Sequence, residues 1–120
     1  MDNKEKEKAY EFVKTAVAAI EEKKGEDIRV LDISDISSFA DYFIIAAGNN
    51  KKQVQTISDF VEEKLEKEGK TPSGIEGYPS ASWILLDYEE FVIHIFSAEE
   101  RLFYDLERIW KDGKEIEIKK

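Results

Sequence analysis

The chain has 120 residues, 42% of them hydrophobic and 12% aromatic, enough to build one packed domain and no more. With no Cys and a single His, it excludes disulfide frameworks, iron–sulfur clusters, thiolate zinc sites, thiol catalysis and multi-His metal centres. A net charge of −9 opposes nucleic-acid binding, which relies on Lys and Arg displacing counterions from phosphates, and favours basic partners or simple solubility.

The acid is unevenly placed. Residues 73–106 hold Glu76, Asp87, Glu89, Glu90, Glu99, Glu100 and Asp105 against Arg101 alone, so the excess sits in the aromatic-rich second half. No apolar run approaches the roughly 20 residues that span a bilayer, so no membrane partner is expected. The charged start MDNKEKEKAYEF is expected to be neither a secretory signal nor a transit peptide, which suits a cytoplasmic protein.

Residues 1–24 predict a helix: Phe12, Val13, Ala16, Val17 and Ile20 recur at three- and four-residue steps, and Gly25 supplies a stop. IRVLDI (28–33) is apolar on both faces, as in a strand inside a sheet. A polar link leads to a second strand, DYFIIAAG (41–48). Asn49 and Asn50 are suitable N-caps, and Gln53 stands three residues after Asn50 in a capping-box arrangement. Val54, Ile57, Val61 and Leu65 then mark one face of a helix, with Phe60 beside them, that Gly69 ends. Residues 69–80 hold both prolines and predict a structured loop with room for a short edge strand.

WILLD (83–87) and FVIHIF (91–96) flank YEE as an antiparallel hairpin. Ser97 and Glu100 form a second capping box, opening a third helix with Leu102, Leu106 and Ile109 in one stripe and Phe103 and Trp110 alongside. Residues 111–120 are polar and expected to fray. The expectation is a single α/β domain over 1–110, with a mixed four- to five-stranded sheet and about three helices, in the order α-β-β-α-(β)-β-β-α.

No catalytic constellation stands out, and neither metal nor cofactor is expected. The turn GNNKKQ occupies a phosphate-binding position at a helix start, but it lacks the Gly-rich patterns, and capping explains Asn49 and Asn50. Asp32, Asp35 and Asp41 lie where a metal-dependent nucleotidyltransferase could hold magnesium. Such a site needs two acids at alternate strand positions, and strand 41–48 offers only Asp41. Glu89–Glu90 and Glu99–Glu100 fit a turn and a helix start. His94 alternates with Ile93 and Ile95 and so shares a sheet face with Val92 and Phe96. Trp83, Tyr88, Phe96, Phe103, Tyr104 and Trp110 crowd among acids, a composition suited to a protein interface. Trp83 and Tyr88 are the best anchors, whereas Phe103 and Trp110 read as core.

Several spaced blocks carry a resemblance: D-Y-F-I-I-A-x-G, then a helix with Q-V, W-x-L-L-D-Y, V-x-H-x-F and E-E-R-x-x-Y-D-L-E-x-x-W. Over roughly residues 8–110 the chain resembles the Iojap family, the ribosomal silencing factor RsfS. Where that family is typically written G-T-S-S-R-Q-V, this chain has GNNKKQV, with Lys52 for Arg. The resemblance implies a nucleotidyltransferase-like fold without the catalytic acids. It implies binding to ribosomal protein L-fourteen of the large subunit, a steric block to small-subunit joining, repressed translation, and a homodimer when free. On matching positions the signature residues are Trp83, Asp87, Tyr88, His94, Phe96, Arg101 and Tyr104. Trp83, Asp87 and Tyr88 are expected to touch the ribosomal protein, and Glu76, Glu89 and Glu90 to face its basic side chains. The other readings are a nucleotidyltransferase-like enzyme using Asp32, Asp35 and Asp41, and a generic acidic adaptor of a basic protein.

Overall fold

A computed structural model describes residues 3–98 and 114–116. The order is α1 (Asn3–Glu22), β1 (Glu26–Asp32), β2 (Tyr42–Gly48), α2 (Lys51–Lys67), β3 (Gly74–Glu76), β4 (Trp83–Asp87), β5 (Phe91–Ser97) and β6 (Lys114–Ile116). The six strands form one sheet in the order β3-β4-β5-β2-β1-β6. Among the described strands only β2 and β5 pair in parallel, because α2 carries the chain back across the sheet between them. The third helix expected from Ser97 onward lies outside the described residues, as do Glu99, Glu100, Arg101, Phe103, Tyr104 and Trp110.

Both described helices lie on one face of the sheet. Ala9, Val13, Ala16, Val17 and Ile20 of α1 and Val54, Ile57, Val61 and Leu65 of α2 meet Ile44, Ile84, Leu86, Ile93 and Ile95 in the main core. The helix ends follow local chemistry. At α1 the left-handed residue is Lys24 (φ 67°), one position before the glycine expected to stop the helix. Gly25 is required for another reason: its N–H reaches Ile20 O at 2.9 Å, and a Cβ there would collide with the Ile20 side chain. At α2, Gly69 (φ 84°) closes a double-bonded terminus in which Lys70 N donates to Leu65 O and Gly69 N to Glu66 O, both at 2.9 Å.

The sheet has six strands rather than four or five. β3 fills the edge position that the 69–80 loop left room for. β6 lies in the tail expected to fray, where Lys114, Glu115 and Ile116 pair with Asp32, Leu31 and Val30. The sequence there, EIEI over 115–118, does alternate acid and Ile, but the run is short and set in a polar tail.

The second face has its own smaller core of Leu31, Ile33, Ala40, Ile45 and Phe96, with Phe43, Trp83 and Val92 packed against it. At the hairpin joining β4 to β5, Glu89 adopts φ 72°, a left-handed conformation that a side chain disfavours. Replacing Glu89 by Gly is expected to raise stability by about 1 kcal/mol, read as a higher urea midpoint at unchanged slope.

Candidate protein-binding face

Strand alternation divides β4. Ile84 and Leu86 point into the helical core, while Trp83, Leu85 and Asp87 point to the second face and are half-buried. Register places Trp83 opposite Phe96, Leu85 opposite His94, and Asp87 opposite Val92. Glu76, exposed on β3, lies across from Leu85 on the other side. The result is a strip of aromatic and aliphatic groups with a carboxylate on its margin and another at its end.

Trp83 is braced from below. Its indole stacks on Phe96 with centroids 5.0 Å apart and planes 27° apart, and Nε1–H donates to His94 Nδ1 at 3.1 Å. His94 in turn meets Phe43 edge-on at 5.0 Å. An indole nitrogen can only donate, so Nδ1 must be the bare nitrogen and the imidazole proton sits on Nε2.

Burial lowers the His94 pKa from the usual 6.5 to about 4. Between those values the folded chain binds fewer protons than the unfolded one, so stability falls as the pH drops through that window. The expected slope is up to about 1.4 kcal/mol per pH unit, and His94→Gln, which can still accept from Trp83, is expected to flatten it. Urea melts between pH 7 and pH 4 read the difference.

Tyr88 does not reach the surface. Alternation carries it to the same side as Ile84 and Leu86, where it is 1% exposed and stacks on Phe91 at 4.9 Å with planes 9° apart. Burial, then the Glu62 charge, pushes its hydroxyl pKa up. Phe96 and His94 are buried too and support Trp83 instead of presenting themselves. Glu89 and Glu90 lie on the turn, away from Trp83. Asp41 N donates to Glu90 O at 2.7 Å, and the Glu90 carboxylate pairs with Lys70 at 3.0 Å. Asp87 closes the same turn by accepting from Glu89 N at 2.8 Å. Of the described residues expected at the interface, the structure groups Glu76, Trp83 and Asp87 and sets the turn acids apart. Leu85, at the centre of the strip, was missed as one apolar residue among many, although the alternation that exposes Trp83 also exposes it.

The other two candidate sites are structurally occupied. Asp32 accepts from Ser34 Oγ at 2.6 Å, from Ser34 N at 3.0 Å and from Lys6 Nζ at 2.9 Å. Burial pushes its pKa up, but the Ser34 and Lys6 bonds outweigh that and hold it below the ordinary value. Asp35 is exposed, 3.8 Å from Lys114. Among the described residues no three His, Asp or Glu side chains gather to hold a metal ion. At the α2 start, Asn50 Oδ1 accepts from Gln53 N at 2.8 Å and Gln53 Oε1 from Asn49 N at 2.6 Å, which occupies two amides that an anion would use. The Gln53 amide also donates to Lys23 O and Lys24 O, tying α2 to the end of α1.

Fold and site together define a small mixed-sheet α/β domain whose best-built surface is an aromatic strip rimmed by acid. A family model described as "Ribosomal silencing factor during starvation" matches residues 6–120. The chain belongs to this family, RsfS. A ribosomal silencing factor RsfS of Bacillus subtilis is 41% identical over 102 residues, covering 85% of this chain and 86% of that protein. The protein of the same name from Halalkalibacterium halodurans is 37% identical over 108 residues, 90% of this chain and 92% of its own. A crystal structure of a Chromobacterium violaceum protein, 36% identical, matches with a TM-score of 0.82 over 84% of each chain.

Proposed function

We propose that this chain is a ribosomal silencing factor that binds ribosomal protein L-fourteen on the large subunit and sterically blocks small-subunit joining, repressing translation in the cytoplasm. The observation that carries the reading is the braced indole of Trp83 at one end of the second-face strip of β4, which continues past Glu76, across from Leu85, to Asp87 at its other end. A rigid, partly exposed aromatic is what an interface anchor requires, and the neighbouring acids complement a basic ribosomal protein while repelling rRNA. Occlusion needs no turnover. Asp32, one of the three acids that would serve a transferase, is engaged by Ser34 and Lys6 as a structural partner. The nucleotidyltransferase-like kinship of the fold and a free homodimer belong to the same reading. The test is co-sedimentation with purified large subunits: the chain is expected to pellet with them at stoichiometry near one, and Trp83→Ala to stay in the supernatant. Equal pelleting of both proteins, or of neither, contradicts the assignment.

A further inference from the structure

The loop between β1 and β2 holds an aromatic ring in water. Phe39 is 90% exposed and Ile36 52% exposed, yet the loop beneath them is tied by hydrogen bonds. Ile36 N and Ser37 N donate to Ile33 O at 3.0 and 2.9 Å, Phe39 N donates to Ser37 Oγ at 3.0 Å, and Ile33 N donates to Asp41 O at 2.8 Å. Ile33 and Ala40, at the two ends of the loop, are buried in the second-face core with Ile45 and Phe96. A phenyl group presented on so fixed a frame is placed to be covered by something else.

The charge around it says what. A groove of about 260 Å³ runs beside Phe39 and is bordered by Glu5, Lys6, Asp41, Glu89 and Glu90. Lys6 is paired with Asp32 at 2.9 Å and Glu90 with Lys70 at 3.0 Å, so Glu5, Asp41 and Glu89 set its sign. An apolar ring beside a negative groove fits a protein surface that carries Lys or Arg next to an apolar recess. Nucleic acid is repelled by the same groove.

We propose that Phe39 is a second anchor for the basic large-subunit protein, an inference that rests on the function proposed above. The register sets the geometry. Asp87, Phe91, Tyr42 and Asp32 lie at one end of the sheet, where this loop sits, and Trp83 opposite Phe96 lies towards the other. A strand of five residues spans about 17 Å, less than the roughly 30 Å width of the ~800 Å² patch that each partner gives to a standard interface.

The test titrates fluorescently labelled chain with purified large subunits and compares Phe39→Ala, Phe39→Asp, Glu89→Gln and Trp83→Ala. The exposed Phe39 variants are expected to melt like the parent. Phe39→Ala is expected to weaken binding about tenfold, mainly through faster dissociation, and Phe39→Asp more. Glu89→Gln is expected to slow association about twofold and to reduce its salt dependence. If Trp83→Ala weakens binding while both Phe39 variants stay within twofold of the parent, the second anchor is overturned and the proposed function stands. Tighter binding by Glu89→Gln would identify rRNA phosphate at the groove and overturn it too. A parent chain that does not bind at all removes both.

Discussion

Trp83→Ala is expected to weaken binding to the large subunit by about 100-fold, the loss typical of a central aromatic anchor. The substitution removes the indole that stacks on Phe96 at 5.0 Å and donates to His94 at 3.1 Å, so it also costs the fold about 2 kcal/mol. The two effects separate in the controls. Trp83→Phe keeps a ring over Phe96 but loses the donor, and is expected to retain binding within about tenfold. Asp87→Asn keeps shape and removes charge. Its expected signature is slower association with little change in dissociation, because a marginal charge steers the encounter more than it holds the complex. Stopped-flow traces against large subunits give both rates. If Trp83→Ala lost stability and kept its dissociation rate, the indole would be part of the core and not an anchor.

The second large effect is expected at Gly77→Ala. Gly77 has φ 80°, and a Cβ built on it would collide with the main-chain carbonyl oxygen of Trp83. A collision with backbone cannot be relieved by a rotamer change, so the loop or the first residue of β4 must move. Left-handed strain and that displacement together are expected to cost about 3 kcal/mol, or about 10 °C in Tm for a domain of this size. Because the displaced group is Trp83 itself, large-subunit binding should fall as well. Gly74→Ala is the contrast: nothing lies within 4 Å of a Cβ there, and little change in either property is expected. Thermal melts and pelleting of the two variants side by side check the prediction.

The hairpin was legible because two apolar, strand-prone runs, WILLD and FVIHIF, flank the short turn YEE, and the alternation of side chains along a strand placed His94 and Phe96 on one face. The same rule, followed one residue further, would have buried Tyr88. Its position beside a turn suggested exposure, whereas the ring follows Ile84 and Leu86 inward and stacks on Phe91. β6 carries a readable Glu–Ile alternation (EIEI, 115–118), but the run is short and set in a polar tail, and it gains its place through main-chain pairing with β1. The acids Glu76, Asp87, Glu89 and Glu90 formed one group in the sequence, but they occupy a sheet edge and a turn in space. Only register and the Asp41–Glu90 and Lys70–Glu90 contacts reveal that split. The capping role of Asn50 was readable from its spacing to Gln53. That the Gln53 side chain would bridge to Lys23 and Lys24 was not, since it depends on where α1 ends in three dimensions.

The most direct measurement of the central claim is sucrose-gradient sedimentation of purified large and small subunits with and without the chain. The proposed function predicts that the chain co-migrates with the large subunit and that the joined-ribosome peak declines as its concentration rises, with both effects lost in Trp83→Ala while its circular dichroism spectrum is retained. An undiminished joined peak at saturating, large-subunit-bound chain would contradict occlusion, and absence of co-migration would contradict the binding on which it depends.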